Sequence, residues 1–258
     1  MPFRHGQGLK ARIIPTQRDG WYELCLPIFT RQYGTMSEKA NHGYRSILEK
    51  DSDTKIKNKG HIRMFDNPIL EILSLSSPTI ITVAYGSYVA VMLWMNHLYG
   101  PVESLQQGAL LYLGGIFTWT FAEYMLHRYV FHFVSDSKIW MRIHYATHGY
   151  HHEYPRDSRR LFMPPLPGAI ISAVFLGIFA IFMGKFAFVF TAGFVNGYIV
   201  YSLMHYATHR IAPPKLLKGL WRHHALHHYK HPDLAFGVST TLWDHVFRTL
   251  PPKDAQAR

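Results

Sequence analysis

The chain has 258 residues, enough for one large domain or two small ones, and carries 27 Lys and Arg residues against 16 Asp and Glu residues. The formal charge of +11 suits nucleic acid, an anionic membrane surface or an acidic partner, and the distribution of the charge has to decide among them. A single cysteine, Cys25, excludes an intramolecular disulfide and a thiolate-rich metal site.

The first part of the chain differs in composition from the rest. Residues 1–66 are polar and basic, and weak periodicity over residues 1–60 predicts a loosely ordered cytosolic extension. A Lys-, Glu- and Asn-rich stretch opens at Met36, which raises the hypothesis that translation starts there. We therefore predict three parts: this N-terminal extension, a membrane domain at residues 67–252 and a short tail at residues 253–258.

Four apolar stretches follow, and each has or approaches the ~20 residues that a helix needs to cross a hydrocarbon core of ~30 Å. They comprise residues 78–98, 105–126, 166–184 and 185–204. The connection within each pair is very short, so both pairs are predicted to form helical hairpins. Four stretches of this length with at most one charged residue each favour membrane-spanning helices over buried helices of a soluble protein.

The distribution of basic residues predicts how the hairpins are oriented. If both hairpins enter and leave on one side, Lys185 lies in a far-side turn and the other 26 basic residues lie on the near side. The near side, with both termini, is therefore predicted to be cytosolic, at the endoplasmic reticulum of a eukaryote or the plasma membrane of a bacterium. The positive charge then suits an anionic leaflet, and no nucleic-acid partner is expected, because no nucleic-acid-binding module is recognisable.

Histidine is the outlying residue type, with eighteen in the chain and fifteen of them after residue 96. Ten form four dense groups, each just past the cytosolic end of a predicted span or in the loop that follows: His127 and His132; His148, His151 and His152; His205 and His209; His224, His227 and His228. On a helix, residues i, i+3 and i+4 share a face, so the last three groups can direct two or three imidazoles to one place. The five-residue step from His127 to His132 turns about 140° around an α-helix, so these two either serve different ions or lie where the helix deforms.

The number of imidazoles predicts the kind of site. Ten exceed what one ion can coordinate, and neutral imidazole suits Zn, Fe, Cu and Ni, so two metal ions are expected. Five ligands each leave an open position, where redox-active iron binds O2, whereas structural zinc closes its shell at four ligands. The Glu-x-x-His pattern of ferritin-like sites is absent. Glu123 and Asp244 are candidates to orient imidazole N–H groups from behind, with solvated or helix-capping roles as the alternative.

Two other classes of membrane protein also use histidine. A haem protein needs isolated histidine pairs on opposing helices and has no use for the HX2HH pattern. A non-catalytic metal-binding or transport protein places its ligands near the middle of the bilayer, on broken helices with acidic partners. The groups of this chain follow the ends of the predicted spans, which favours a catalytic site.

The residues around the histidines resemble the fatty acid hydroxylase superfamily, which also includes sterol desaturases, and are most similar to fatty acid 2-hydroxylases. The similarity covers roughly residues 63–252. The segments that carry it are FAEYMLHRYVFHF (121–133), HYATHGYHHEYPRDSRRLFMPP (144–165), YSLMHYATH (201–209), HHALHH (223–228) and FGVSTTLWDHVFRTLP (236–251).

This resemblance implies a mostly α-helical integral membrane enzyme, with four transmembrane helices in two hairpins and a cytosolic helical cap that holds a dimetal histidine site. It implies two iron ions in activity, often zinc in the isolated protein, held by the ten histidines named above. The implied reaction uses O2 and two electrons to hydroxylate C2 of a long acyl chain, free or within a sphingolipid. The alternative within the superfamily is a sterol or carotenoid hydroxylase or desaturase.

Several further residues are interpreted through the same resemblance. His144 occupies a position that is not assigned as a ligand and would line or support the site, while Tyr201 would border the substrate channel or simply pack. Relatives tend to have Asp where this chain has Ser202, which argues against a role for an aspartate there. Many relatives carry a cytochrome b5 domain with an HPGG motif that does not occur in this sequence, so the electrons are expected from a separate cytochrome b5-like or ferredoxin-like protein.

Overall fold

A computed structural model describes residues 56–133 and 137–252 of the protein. The predicted extension up to residue 55, the hypothesis about Met36 and the predicted tail lie outside these residues. The described residues form helices joined by loops, with no β-strand among them, which confirms the predicted fold class. The α-helices are α1 (Pro68–Leu73), α2 (Pro78–Tyr99), α3 (Leu105–Leu126), α4 (Lys138–His144), α5 (Tyr150–Glu153), α6 (Pro165–Met183), α7 (Ala187–Arg210), α8 (Lys218–Tyr229) and α9 (Leu242–Val246). Two π-helical turns, π1 (His127–Phe131) and π2 (Tyr145–Gly149), continue α3 and α4.

The long helices begin where the sequence offers a capping residue. Ser77 precedes α2 and accepts a hydrogen bond from the backbone N–H of Ile80, and Pro78 occupies the first helical position, where no N–H is needed. Ser104 caps α3 in the same way, through the N–H of Gln107. Both helices therefore start with part of their unpaired N–H groups satisfied, immediately beside an apolar stretch.

Three stretches are long and apolar enough to cross a membrane: Pro78–Tyr99, Leu105–Phe131 and Pro165–Arg210. The last has 46 residues and contains both α6 and α7, joined by a 3-10 turn in which Gly184 has a φ of +57°. A left-handed φ at this position suits glycine, because it has no Cβ to clash with the backbone.

Ring contacts show how α6 and α7 run relative to each other. The ring of Phe175 lies 4.7 Å from that of Phe194, and the ring of Phe179 lies 4.9 Å from that of Phe190, measured between centroids. The later residue of α6, Phe179, contacts the earlier residue of α7, Phe190. The two helices are therefore antiparallel and form the second predicted hairpin. The number of membrane crossings, four by this arrangement, stays a prediction.

Helix α7 lies at the centre of the bundle and packs against α2, α3 and α6. Glycines allow α3 and α7 to approach closely: a Cβ at Gly115 would lie 2.1 Å from the carbonyl oxygen of Phe190, and one at Gly193 would lie 1.9 Å from that of Tyr112. Close contact at small residues is the usual means by which helices associate in a membrane. It places the ends of α3 and α7 side by side.

The segment before α1 packs against the cap, the part of the chain outside the long helices that contains α4, α5, α8 and α9. Ile62 and Met64 are buried with Met141, Tyr145 and Tyr150. Lys57 adds a salt bridge to Glu153, with Nζ 2.6 Å from Oε1, and a backbone hydrogen bond to the carbonyl oxygen of the same residue. The predicted loose extension is thus wrong from Lys57 onward, whereas the division between residues 66 and 67 stays a prediction.

Candidate metal centre

The end of α3 explains the unusual spacing of its two histidines. The N–H of His132 donates to the carbonyl oxygen of His127 at 3.2 Å, a bond that spans five residues and belongs to the π-helical turn π1. In such a turn residue i+5 stacks over residue i, as residue i+4 does in an α-helix. Of the two interpretations from sequence, the deformed helix is therefore the one observed, and both imidazoles face the same point.

The two HX2HH segments each divide their histidines between two points. On an α-helix, residue i+4 lies about 40° from residue i, whereas residue i+3 lies about 60° to the other side. His148 and His152 accordingly face one point and His151 another. His224 and His228 likewise share a point, and His227 faces the other. Each segment therefore contributes to both points.

The structure gathers all ten predicted histidines into two groups of five. The first histidine group comprises His127, His132, His148, His152 and His227, and the second histidine group comprises His151, His205, His209, His224 and His228. Within each group the candidate ligand atoms all lie within 4.8 Å of one another.

The spacing of the Nε2 atoms fits a metal ion in each group. Neighbouring Nε2 atoms are 3.0–3.1 Å apart in the first group and 2.8–3.3 Å apart in the second. Ligands about 2.1 Å from a common ion are about 3.0 Å apart when they subtend 90°, and about 3.4 Å apart at the tetrahedral angle. The distances therefore fit several imidazoles of each group around one shared ion.

Burial keeps the imidazoles in the form that binds metal. The pKa values of His148, His151, His224 and His228 lie well below the ordinary value, chiefly because burial disfavours the charged ring, and neighbouring histidines lower them further. Neutral rings whose Nε2 atoms converge would repel one another through their lone pairs, whereas a cation between them converts the same lone pairs into bonds. The residues present therefore fit a metal ion in each group.

Two backbone carbonyls set the tautomer of rings in the first group. The Nδ1 of His127 lies 2.5 Å from the carbonyl oxygen of Phe236, and the Nδ1 of His227 lies 2.7 Å from that of Leu234. A carbonyl can only accept, so each Nδ1 carries the proton and each Nε2 keeps its lone pair for a metal. Sequence reasoning did not find these contacts, because any residue type supplies a backbone carbonyl.

Glu123 and Asp244, the candidates to orient imidazoles, make no hydrogen bond to an imidazole of either group among the described residues. Glu123 accepts hydrogen bonds from the N–H groups of Val238 and Ser239, and the bonds found for it among the described residues involve no imidazole. Asp244 accepts from His223, which belongs to neither group, with 3.0 Å between Nε2 and Oδ2. Both carboxylates instead hold the loop that contains Phe236.

The other candidates lie around the site. The ring of Tyr201 stacks on that of His205 at 5.8 Å between centroids and also packs against Trp119. His144 is half-buried and belongs to neither group, and its pKa is lowered chiefly by burial. Ser202 is buried in α7, three residues before His205. A supporting role for Tyr201 and His144 stays a prediction.

Comparison with known proteins gives the site a context. The family model described as fatty acid hydroxylase matches residues 112–249, which include every histidine of both groups. The chain is similar to dihydroceramide fatty acyl 2-hydroxylase FAH1 of Arabidopsis thaliana, with 35% identity over 203 residues, 78% of this chain and 84% of that protein. It is also 35% identical to fatty acid 2-hydroxylase of Rattus norvegicus over 153 residues, 57% of this chain, and it spans 41% of the length of that relative.

A solved structure shares the fold. It is described as full-length scs7p with only the hydroxylase domain visible, and it matches with a TM-score of 0.67 and 33% sequence identity. The match covers 73% of this chain and 72% of the other. The helical arrangement of this chain is therefore one that a solved structure also adopts over the matched residues.

Proposed function

The chain belongs to the fatty acid hydroxylase family, and we propose that it hydroxylates C2 of a long acyl chain, either of a free fatty acid or of the amide-linked chain of a sphingolipid. The observation that carries this proposal is the pair of five-histidine groups at the end of an apolar bundle. The names of the relatives, which act on fatty acids and dihydroceramide fatty acyl chains, supply the substrate class.

The chemistry of the substrate explains the need for metals. A C2–H bond is inert to acids and bases at neutral pH, so bound iron would supply the activation of O2 that the side chains cannot. In the overall reaction one oxygen atom enters the new C2 hydroxyl group, and the other leaves as water with two electrons and two protons. Zinc in isolated protein would occupy the same ligands without redox activity.

The residues of the chain would hold, orient and shield. The ten imidazoles would supply five ligands to each ion, with their rings fixed by burial and, at His127 and His227, by hydrogen bonds to carbonyls. The ends of α3 and α7 bring the two groups next to the membrane bundle, where an acyl chain can approach along the helices. Its carboxyl or amide end would then face the cap.

Orientation and electron supply complete the proposal. The chain is a membrane protein, and we expect the cap to face the cytosol, since almost all basic residues lie on that side of the predicted spans. The electrons would come from a separate protein that resembles cytochrome b5 or ferredoxin.

Lipid analysis after expression tests the proposal. In a host that lacks 2-hydroxy acyl lipids, the chain should produce them, and His151→Ala should lower their amount at least a hundredfold at equal protein level, because the second group loses a ligand. His97→Ala is the matched control, since His97 is exposed at the opposite end of α2 and its loss should leave the products unchanged. Altered sterols with unchanged acyl chains would overturn the proposed substrate.

A further inference from the structure

A short loop connects the first histidine group to two buried carboxylates. This carbonyl loop, residues 234–239, follows α8 and directs the carbonyl oxygens of Leu234 and Phe236 at the Nδ1 atoms of His227 and His127. Both rings belong to the first histidine group. The positions of these two rings therefore depend on the position of the loop.

Asp244 holds the middle of the carbonyl loop. Its side chain is 0% exposed and accepts hydrogen bonds from the N–H groups of Phe236 and Gly237 at 2.9 and 2.8 Å. The hydroxyl of Thr249 at 2.7 Å and the Nε2 of His223 at 3.0 Å complete its partners. Four donors thus converge on one carboxylate, and the pKa of Asp244 is lowered because these hydrogen bonds outweigh burial, which alone would raise it.

Glu123 holds the end of the same loop from α3. It is 3% exposed, and its Oε1 accepts from the N–H groups of Val238 and Ser239 at 2.7 and 2.9 Å. Its other oxygen accepts from the Ser239 hydroxyl. A buried carboxylate needs such partners, and here four consecutive backbone N–H groups, from residues 236 to 239, all donate to one of the two carboxylates.

The carbonyl loop makes no hydrogen bond to the second histidine group among the described residues, and there His205 instead contacts the backbone of Leu161. The Nδ1 atoms of His151, His224 and His228 are buried and have no hydrogen-bond partner among the described residues. The loop and its carboxylates therefore act on one of the two groups, and the two groups differ in what stands behind their ligands.

We propose that Asp244 and Glu123 are positioning residues for the metal ion of the first histidine group, and that they act through the carbonyls of Leu234 and Phe236. This inference rests on the proposed function, because it assumes an ion in each group. Groups that orient metal-binding imidazoles typically change metal affinity by about 10- to 100-fold when they are removed. Loss of Asp244 should therefore release one ion and leave the other bound.

The substitution Asp244→Asn tests this at nearly constant volume. An asparagine presents two N–H donors in place of one oxygen that now accepts two hydrogen bonds, so either Phe236 and Thr249 or Gly237 and His223 would face a donor. The loop has to shift in response, and the two carbonyls shift with it.

Metal content per chain, measured by mass spectrometry on the full chain in detergent after dialysis against a chelator, gives the result. Wild-type protein should keep about two ions. His132→Ala and His209→Ala should each lose one ion, from the first and second group respectively. Asp244→Asn should also keep one ion. The double variant Asp244→Asn with His132→Ala should still keep one ion, because both changes act on the first group. The double variant Asp244→Asn with His209→Ala should keep none.

The remaining outcomes separate the inference from the proposed function. If Asp244→Asn keeps both ions, or if the double variants lose metal in the opposite pattern, the positioning role is wrong while the dimetal enzyme stands. Wild-type protein that is active without metal would instead overturn the proposed function.

A milder variant covers the case in which Asp244→Asn does not fold. Ser239→Ala removes one hydrogen bond to Glu123. In the His209→Ala background, which keeps the ion of the first group, Ser239→Ala should speed loss of that ion. In the His132→Ala background, which keeps the ion of the second group, it should leave the rate of loss unchanged. Equal effects in the two backgrounds would contradict the inference.

Discussion

At the scale of single residues, the site is defined by which nitrogen of each ring would face a bound ion. In the first group, carbonyl oxygens behind His127 and His227 hold the proton on Nδ1, and the Nε2 atoms are left to converge. Burial adds to this, because it lowers the pKa of the cap histidines and keeps them neutral. A histidine side chain alone can adopt two neutral tautomers and a charged form. The local environment therefore selects the neutral tautomer whose Nε2 can bind a metal.

A cluster of ion pairs and hydrogen bonds around Arg160 connects α1, the helix before the bundle, to the cap. Arg160 contacts both Glu71 of α1 and Asp157, and it donates to the carbonyl oxygen of Ile62 at 3.1 Å. Glu71 also accepts from the N–H groups of Met64 and Phe65. Asp157 in turn accepts from Tyr150, which lies beside the histidines of α5. The ion pairs thus connect α1 to the segment that contains His151 and His152.

Glu71→Gln should destabilise the protein at neutral pH and much less in acid. Burial would raise the pKa of Glu71, but hydrogen bonds from Phe65 and Arg160 outweigh it and lower the pKa below the ordinary value of 4.5. The unfolded chain then takes up the proton first as the pH falls below 4.5, so the stability due to this carboxylate is present above that pH and is lost below it.

Thermal unfolding in detergent measures the effect. At pH 7 the midpoint of Glu71→Gln should lie a few degrees below that of wild type, since about 1 kcal/mol shifts the midpoint of a domain this size by about 2–4 °C. The gap should narrow near pH 4. Glu103→Gln, in the exposed turn after α2, should show no gap at either pH. A gap for Glu71→Gln that widens in acid would contradict the assignment.

At the scale of elements, helix ends decide where the histidines lie. The π-helical turn after α3 adds one residue to a turn, and this brings His132 over His127. Helix α7 ends in ordinary α-helical geometry and presents His205 and His209 four residues apart. Because α3 and α7 pack closely along their length, these two ends stay adjacent.

Gly193→Ala should lower stability by about 1–3 kcal/mol or more, because its Cβ would overlap the carbonyl oxygen of Tyr112 and push α3 away from α7. Gly177→Ala in α6 is the matched control, since a Cβ there meets nothing within 4 Å. It should be neutral or stabilising by up to about 1 kcal/mol, the usual gain from replacing glycine within a helix. Thermal unfolding and metal content of both variants check this, and equal behaviour would show that the close contact is unimportant.

At the scale of the whole molecule, apolar and charged surfaces are separated. The long helices expose leucine, isoleucine and phenylalanine along their lengths, as lipid-facing surfaces do. The stretch from residue 158 to residue 232 contains no acidic residue. Its basic residues at and after the end of α7 include Arg210, Lys215 and Lys218. This distribution fits a cap at an anionic membrane surface.

Cysteine labelling tests the predicted orientation. In a Cys25→Ser background, Leu216→Cys places a thiol at a residue that is 97% exposed before α8, and Glu103→Cys places one in the exposed turn after α2. In sealed vesicles with the cytosolic side outward, an impermeant maleimide should label position 216 without detergent and position 103 only after detergent is added. The reverse pattern would place the cap on the opposite side.

Much of the architecture could be predicted from the sequence, because it depends on local patterns. Apolar stretches of the required length predicted the long helices: α2 ends one residue after its predicted bound, and α3 has the predicted bounds. The prediction for α7 ended at residue 204, but the helix continues to Arg210, because HYATHR keeps helical geometry beyond the apolar stretch. Packing of residues 57–64 was missed, since their contacts lie about 90 residues away.

The sequence by itself determined the residue types of the site and their local spacing: ten histidines next to helix ends, in patterns that imidazole chemistry makes meaningful. Only the tertiary structure decided how they divide, with each HX2HH segment shared between two groups and His132 brought over His127 by a π-helical turn. It also decided that Glu123 and Asp244 hold a loop rather than an imidazole of either group. Spacing along the chain fixes direction within one helix, but which directions converge depends on helices that meet from distant parts of the chain.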